Sequence, residues 1–217
     1  TDSEKFGWSF VFHLELDATQ RANITKAVAG VEWWLPVNGS WWREPTGPGS
    51  DVFEGGRGRH PVVHVSWRDA QAYCKWRGAR LPTEAEWEYA GRAGQGTRYK
   101  YAGSNNLDEV AWYQDNSGDK THAVARKAPN VWGLYDMSGN VWEWTSSAFL
   151  PFPGFAMDFP YRENSAPWFG YRKVCKGGCW ATSALIARAG YRHSFWPEMN
   201  AVYTGFRVAM DVAGGKL

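Results

Sequence analysis

The sequence has little net charge, few cysteines and no long apolar run, and each shortage excludes a class of protein. Its 24 basic and 22 acidic residues leave a formal charge of +2 over 217 residues, too little to favour nucleic acid or an anionic membrane as the main partner. No apolar run reaches the roughly 20 residues of a membrane helix. The first ten residues, TDSEKFGWSF, lack the apolar centre of a signal peptide. We therefore expect a soluble protein with no nucleic-acid partner and no membrane insertion.

The cysteines are also too few for a disulfide framework. The three of them, Cys74, Cys175 and Cys179, cannot all pair with one another. This count slightly favours a reducing, cytoplasmic environment. We expect Cys175 and Cys179 to be half-buried residues on one face of a strand, and a metal pair formed by them is the less favoured alternative.

Tryptophan, glycine and proline are abundant instead. The 15 Trp, 24 Gly and 11 Pro residues predict an aromatic-rich fold of short elements joined by many turns. With 44% apolar residues the chain can bury a sizeable core, which excludes disorder, collagen and coiled coil. Its length suits one large domain or two small ones, and we prefer one because the sequence shows no repeat and no flexible linker that would divide it.

Two capping boxes predict two short helices in succession. Ser66 opens the string S-W-R-D with Asp69 in the third helical position, and Thr83 opens T-E-A-E with Glu86 in the same place. Between them, Cys74 falls on an apolar stripe at helical spacing. We therefore expect Cys74 to be a small core residue.

The rest of the chain is predicted to form strands and loops, with one further helix over residues 17–30 that begins at an Asp cap. Residues 31–60 contain several Pro and Gly and predict a long loop that its own aromatics hold in place. Residues 60–65 predict a strand. Residues 94–130 predict loops and short strands. VWEW predicts a strand after a Ser-Gly-Asn turn, and the C-terminal strings predict the closing strands of a sheet.

Six strings, in order along nearly the whole chain, resemble the formylglycine-generating enzyme, or sulfatase-modifying factor, superfamily. They are FGWSFVF, WWLPV, HPVVHVSWRDAQAYCKWRGARLPTEAEWEYAGRAG, GLYDMSGNVWEWT, KGGCW and GFRVA. The resemblance implies an α+β, C-type lectin-like fold, loop-rich with short strands and two to three short helices. It also implies a single domain over residues 1–217 that lacks the first strands of the family.

Members of the superfamily differ in activity. Formylglycine-generating enzymes oxidise a sulfatase cysteine with copper held by two cysteines, and ergothioneine-type sulfoxide synthases carry iron on a separate helical domain. The variable proteins of diversity-generating retroelements use the fold to bind ligands. The final third of this chain most resembles the ergothioneine-type branch. Fold alone does not choose among these activities.

The positions of the two copper-binding cysteines hold other residues here. Counted from Gly177-Gly178, they are occupied by Thr182 and Ala187, and Cys179 stands where the family has a functional serine. Copper(I) requires soft thiolate ligands, which a hydroxyl and a methyl group cannot replace. We therefore expect no copper.

An iron site is not expected either. The five histidines show no H-x-x-x-H pattern on a helix, and surface or hydrogen-bonded roles fit them better. They are His13, His60, His64, His122 and His193.

The resemblance places a concave ligand site in the C-terminal segment, where aromatic and arginine side chains are good recognition anchors. The predicted ligand-binding residues are Trp180, Arg188, Tyr191, Arg192, His193, Phe195, Trp196 and Tyr203. For Trp180 and Tyr191 a place in the core is the alternative.

The turn from Ser138 to Glu143 resembles a calcium loop of the family. The resemblance makes Glu143 the carboxylate ligand and gives Ser138, Gly139 and Val141 as backbone carbonyl ligands, the hard oxygen donors that calcium prefers. A purely structural turn is the alternative. Calcium is thus the one cofactor expected, in a structural role.

The sequence predicts a ligand- or substrate-binding domain without the copper cysteines, which takes a small molecule or a peptide. It acts alone or, with an upstream helical domain as its partner, as the substrate-binding part of an ergothioneine-type sulfoxide synthase. Two alternatives stay open. One is an active oxidoreductase that converts a sulfatase cysteine to formylglycine, and the other is a stand-alone variable binding protein.

Overall fold

The computed structural model describes residues 1–156 and 168–211, and these ranges contain five short α-helices, one 3₁₀ turn at His13–Glu15 and six short strands. The helices are α1 (Asp2–Phe6), α2 (Ala18–Ala22), α3 (Trp67–Trp76), α4 (Glu84–Gly91) and α5 (Leu107–Val110). The strands are β1 (Trp8–Phe12), β2 (Trp34–Asn38), β3 (Trp142–Ala148), β4 (Lys173–Lys176), β5 (His193–Phe195) and β6 (Thr204–Phe206). None of the helices in these ranges has the length and apolar character needed to cross a membrane.

The strands form two sheets. β1 and β2 make an antiparallel hairpin, and the other four strands make a sheet in the order β5-β4-β3-β6. β3 is antiparallel to β4 and parallel to β6, and β4 is antiparallel to β5. The predicted VWEW strand and the predicted C-terminal strands are therefore confirmed.

The two predicted capping boxes are both present. The Ser66 hydroxyl accepts the Asp69 N–H at 3.1 Å, and the Asp69 carboxylate accepts the Ser66 N–H at 3.0 Å. Thr83 and Glu86 make the same pair of bonds at 3.2 and 2.8 Å. These boxes set the first turns of α3 and α4. Cys74, on the buried side of α3, is 1% exposed, which confirms it as a core residue.

The helix expected over residues 17–30 begins as predicted and ends early. The Asp17 carboxylate accepts the Gln20 N–H at 2.7 Å, and the helix stops at the C-cap Asn23. The β-branched Ile24 comes next and packs into the small apolar cluster beside β1 and β2. Tertiary packing of this side chain, together with its low helix propensity, ends the helix seven residues before the predicted glycine stop.

Two predictions between residues 31 and 65 are wrong. The expected loop over 31–60 contains β2, in which Pro36 lies opposite Phe10. A two-stranded hairpin has only edge strands, and these tolerate proline. The strand expected over 60–65 joins neither sheet, because His64 within it takes a positive φ of 57°, which breaks an extended ladder.

The number of helices also exceeds the two to three that the resemblance implied. The two that the sequence did not predict, α1 and α5, have five and four residues, about one helical turn, and α5 lies where loops and short strands were expected. Such a turn carries too little hydrophobic periodicity to be seen in a sequence, although the caps at Thr1 and Asn106 hold two of them.

The arrangement predicted for two cysteines is wrong. Cys175 lies in β4 and is fully buried, whereas Cys179 lies beyond the strand and is 2% exposed. Gly177 and Gly178 between them both take positive φ values, 95° and 76°. This glycine turn ends the strand, so the two thiols do not share a strand face, and both are unpaired.

The four-stranded sheet has one face covered by α4 and one face turned towards the hairpin. On the first face, the Trp87 indole donates to Glu143 at 2.6 Å, and Lys176 binds Glu88 at 2.9 Å. On the other face, Trp144 lies opposite Cys175, which in turn lies opposite His193. Because residues opposite one another in a ladder share a face, aromatic side chains of β3 and β5 point together towards the β1–β2 hairpin.

Candidate functional site

An aromatic cleft of about 560 Å³ lies where the hairpin meets the four-stranded sheet. Six aromatic rings and two imidazoles line it: Phe12, Trp33, Trp34, Trp142, Phe195, Tyr203, His13 and His193. The other lining residues are Gln114, Asp119, Cys179, Ala181 and Thr182. The cleft thus has apolar walls and a few polar groups, which is typical of a small-molecule site.

The hairpin supplies one wall of the cleft. Phe12 at the end of β1 lies opposite Trp34 at the start of β2, and their ring centres are 5.1 Å apart. Trp34 reaches across to Tyr203, with ring centres 4.6 Å apart, and Phe12 reaches Trp180 at 5.2 Å. These tilted and edge contacts fix the wall against the sheet.

The sheet supplies the opposite wall through β3 and β5. The His193 imidazole stacks on Trp142 with centres 5.1 Å apart and planes at 30°, and Phe195 meets it edge-on at 4.5 Å. Burial, helped by the positive charge of Arg172, lowers the pKa of His193 below its ordinary value of 6.5. The imidazole is therefore neutral at pH 7 and offers one donor and one acceptor to a ligand.

The positions that hold copper-binding cysteines in the family meet beside the glycine turn. A Cβ on Gly178 would lie 2.8 Å from the Thr182 hydroxyl and 3.1 Å from the Ala187 Cα. The Thr182 hydroxyl accepts the Cys179 N–H at 2.9 Å and donates to the Cys179 carbonyl at 2.8 Å. Thr182 and Ala187 are therefore close in space, but their side chains are a hydrogen-bonded hydroxyl and a methyl group.

Cys179 is the one thiol that lines the cleft. Burial raises its pKa to about 12, so at neutral pH it stays a thiol. Nucleophilic attack and soft-metal binding both use the thiolate. As it stands in this structure, Cys179 is a small, inert part of the cleft wall.

Asp119 gives the cleft its carboxylate, and the sequence interpretation missed it. Its backbone takes a positive φ of 58°, and its N–H donates to the Ser117 hydroxyl at 3.2 Å. Within residues 1–156 and 168–211 no ion pair involves this carboxylate. In the sequence, this position is marked only by the string Ser-Gly-Asp, which is typical of a turn. Nothing in that string indicates that the turn packs beside the C-terminal segment.

Of the eight predicted ligand-binding residues, three line the cleft: His193, Phe195 and Tyr203. Trp180 is fully buried beneath the hairpin wall. Tyr191 packs on Trp142 with ring centres 6.2 Å apart, behind the cleft wall. Trp180 therefore takes the alternative that the sequence left open, a position in the core, whereas Tyr191 is half-buried.

The other three predicted residues lie outside the cleft. Arg188 is exposed. Arg192 forms an ion pair with Glu84 at 2.7 Å. Trp196 is 40% exposed and contacts Tyr171, with ring centres 5.2 Å apart. β5 places successive side chains on opposite faces of the sheet, which is why His193 and Phe195 face the cleft and their neighbours do not.

In the predicted calcium turn, the carboxylate of Glu143 already accepts hydrogen bonds from other side chains. Glu143 accepts hydrogen bonds from the Trp87 indole and from the Arg207 guanidinium, whose Nη2 lies 2.6 Å from Oε1. A second acid, Asp136, lies nearby. Burial, together with the charge of Glu143, raises the pKa of Asp136.

The donors around this turn fit calcium in type. Two carboxylates and the backbone carbonyls of Ser138, Gly139 and Val141 are hard oxygen donors. Binding through Glu143 requires that its carboxylate release Arg207. Calcium binding here stays a prediction, and the structure adds Asp136 to the residues that could hold the ion.

A family model described as "Sulfatase-modifying factor enzyme 1-like domain" matches residues 9–212. The formylglycine-generating enzyme of Mus musculus is 40% identical over 227 residues, which cover 97% of this chain and 60% of the mouse protein. Inactive C-alpha-formylglycine-generating enzyme 2 of Bos taurus is 44% identical over 160 residues, covering 69% of this chain and 52% of that protein. Hercynine oxygenase of Mycobacterium tuberculosis is 39% identical over 166 residues, covering 70% of this chain and 37% of that protein. The chain thus spans only part of the length of these relatives.

Among solved structures, Treponema denticola variable protein 1 is similar with a TM-score of 0.57 and 32% sequence identity. The match covers 70% of this chain and 71% of that one. The likenesses in sequence and structure confirm the predicted family resemblance and the predicted C-type lectin-like fold.

Proposed function

Because the chain belongs to the sulfatase-modifying factor family, that of the formylglycine-generating enzymes, we propose that its aromatic cleft binds a small cationic ligand or substrate. One observation carries this proposal: aromatic rings from two sheets surround a cleft with a single acid, Asp119. The faces of Trp, Tyr and Phe rings attract cations, and quaternary ammonium groups are typical ligands of such cages. The Asp119 carboxylate adds a counter-charge.

The chemistry of the cleft supports binding over copper-dependent oxidation. Thr182 and Ala187 occupy the thiolate positions, and Cys179 stays protonated because burial raises its pKa to about 12. The similarity to a bovine protein named as inactive is in keeping with a family member that has kept the scaffold and lost the oxidase ligands.

The similarity to hercynine oxygenase supports a substrate-binding role within a larger enzyme. Hercynine carries a quaternary ammonium group, which suits a cage of aromatic rings. In such an enzyme this domain would hold the substrate, and a helical domain on another segment would supply the iron. This role and the upstream helical partner remain part of the proposal.

A pair of isosteres tests the cationic ligand directly. Choline and its uncharged isostere 3,3-dimethyl-1-butanol have nearly the same shape, and tryptophan fluorescence can follow both as they bind. We expect choline to bind about tenfold more tightly, since a partly desolvated cation–π contact contributes about 1 to 2 kcal/mol. Hercynine should bind at least as well.

Two variants locate this binding. Asp119→Asn should weaken choline binding about tenfold and leave the alcohol unchanged, whereas Asp115→Asn, at an exposed acid in the same loop, should change neither. Equal affinities for the two isosteres, or an Asp119→Asn protein that binds choline as the wild type does, would refute the proposal.

A second candidate function is that of a stand-alone variable binding protein. It is favoured by the similarity in sequence and structure to Treponema denticola variable protein 1. Copies that differ only within residues 181–204 would favour this role. Formation of formylglycine on a sulfatase-motif peptide in the presence of copper(I) would favour the oxidase alternative instead.

A further inference from the structure

Arg172 is a half-buried arginine held between two indole rings. Its Cζ lies 4.6 Å from the centre of the Trp168 ring and 4.5 Å from that of Trp196. The Nε of Arg172 is buried and has no hydrogen-bond partner among the described residues. Burial lowers the pKa of this guanidinium. The group has therefore lost hydration without gaining a counter-charge from the part of the chain that the structure describes.

The backbone builds this sandwich from both sides. The Arg172 N–H donates to the Trp168 carbonyl at 3.3 Å, and this single helical turn stacks side chains four residues apart. On the other side, Lys173 lies opposite Phe195 in the β4–β5 ladder, so the next residues outward, Arg172 and Trp196, are neighbours. With both faces covered, the N–H groups of the guanidinium can reach a partner only at its edge.

Other partly buried arginines of the described residues have carboxylate partners. Arg92, Arg192 and Arg207 each donate to a glutamate. Glu198, close to Trp196 in sequence, already binds Arg68 at 2.7 Å and Tyr171 at 2.8 Å. Within residues 1–156 and 168–211, no carboxylate forms an ion pair with Arg172, so an added oxyanion would meet no competing acid from these residues.

We propose that the edge of the Arg172 guanidinium binds an oxyanion, the carboxylate or phosphate group of a ligand, at a subsite distinct from the aromatic cleft. A planar guanidinium matches both groups with two parallel, charge-assisted hydrogen bonds. The stacked tryptophans hold the plane in place before binding, so little side-chain entropy is lost. This subsite does not depend on the cation site in the cleft.

The subsite is coupled to the cleft through His193. The charge of Arg172 helps to lower the pKa of His193, so a bound oxyanion should cancel this effect and raise that pKa. Binding at the surface thereby becomes visible at a cleft residue. This shift gives a readout that a purely structural role of Arg172 would not produce.

The test uses acetate and phosphate as separate probes, with chloride keeping the ionic strength constant. Intrinsic fluorescence, to which Trp168 and Trp196 contribute among the 15 Trp residues, follows binding, and NMR titration gives the pKa of His193. We expect a saturable response and a raised His193 pKa with at least one probe. Arg172→Gln should weaken the response about tenfold or more, Arg172→Lys should weaken it less, and the exposed control Arg126→Gln should not change it.

The outcomes separate the two sources of the oxyanion. A response to acetate alone identifies a carboxylate ligand, and a response to phosphate alone identifies a phosphate ester. No saturable response to either probe, or an equal response from the wild type and both Arg172 variants, would overturn the proposal. Choline titration of the same variants checks the cleft separately, because the cation site contains no part of Arg172.

Discussion

Single residues decide what chemistry this chain can perform. Thr182 and Ala187 stand where the sequence resemblance implies copper-binding cysteines, and burial keeps Cys179 beside them as a thiol. Asp119 brings one negative charge into a cleft of aromatic rings. The proposed ligand binding therefore rests on a few polar groups among aromatic rings.

A buried residue outside the cleft shows how strongly the fold can change a titration. His64 is fully buried, and its Nδ1 lies 2.7 Å from the Ser9 hydroxyl, which also donates to Asn200 at 2.8 Å. Burial lowers the pKa of His64 to about 3 from its ordinary 6.5. The imidazole therefore stays neutral in the folded protein while the unfolded chain takes up a proton.

This difference predicts a loss of stability in acid. The contribution of neutral His64 to the free energy of unfolding is complete above pH 6.5 and is lost as pH falls towards about 3. His64→Asn suits the left-handed backbone and cannot titrate. The stability advantage of the wild type over this variant should shrink by up to about 1.4 kcal/mol per pH unit below about 6.5.

Urea unfolding at about pH 7 and about pH 5 measures this change. Glu15, whose pKa is raised to about 7 by burial, acts in the opposite sense, since it binds its proton more tightly in the folded state. It is present in both proteins and cancels from the comparison. A wild-type advantage that is the same at both pH values would contradict the prediction.

Short elements were predictable where a local hydrogen bond defines them. The capping boxes of α3 and α4 span four residues each and are present as predicted. The end of α2, the β2 strand and the irregular path of residues 60–65 were not predictable, because Ile24, Pro36 and His64 take their conformations from contacts with distant segments.

The two capping boxes should differ in strength. Ser66 is fully buried and also donates to Asp2 at 2.7 Å, whereas the Thr83 box is partly exposed. We expect Ser66→Ala to lower the free energy of unfolding by about 2 kcal/mol and Thr83→Ala by about 1 kcal/mol. Urea unfolding measures both, with the exposed Thr97→Ala as a control that should stay within about 0.5 kcal/mol of the wild type. Equal effects of the two cap variants would contradict this ranking.

At the scale of the whole molecule, the cleft joins segments far apart in the chain. Its lining residues come from the hairpin, from the loop around Asp119, from β3 and from the C-terminal strands. The chain spans 60% of the mouse formylglycine-generating enzyme and 37% of the hercynine oxygenase. Both the binding role of the cleft and the activity of any larger protein that contains this domain therefore remain proposals.

Calcium, if it binds the predicted turn, should stabilise the whole molecule, because an ion held only by the folded state raises its stability by mass action. We expect the thermal midpoint to rise in calcium relative to chelator. Asp136→Asn should reduce the rise, since Asp136 adds a second carboxylate beside Glu143. Magnesium and the exposed Asp115→Asn variant serve as controls. A thermal midpoint that is identical in calcium and in chelator would contradict the predicted calcium site.

Local strings of residues were enough to predict the family, the two capping boxes and the strand after the Ser-Gly-Asn turn, because each depends on residues that are close in the chain. They also show Thr182 and Ala187 where the resemblance implies copper-binding cysteines. Tertiary packing alone set which residues face the cleft. It separated His193 from Trp196 by strand alternation, brought Asp119 to the aromatic rings, and enclosed Arg172 between two indoles. These placements depend on contacts between segments that are far apart in the chain, and the free energy of such contacts comes from burial in the assembled core, which no local pattern records.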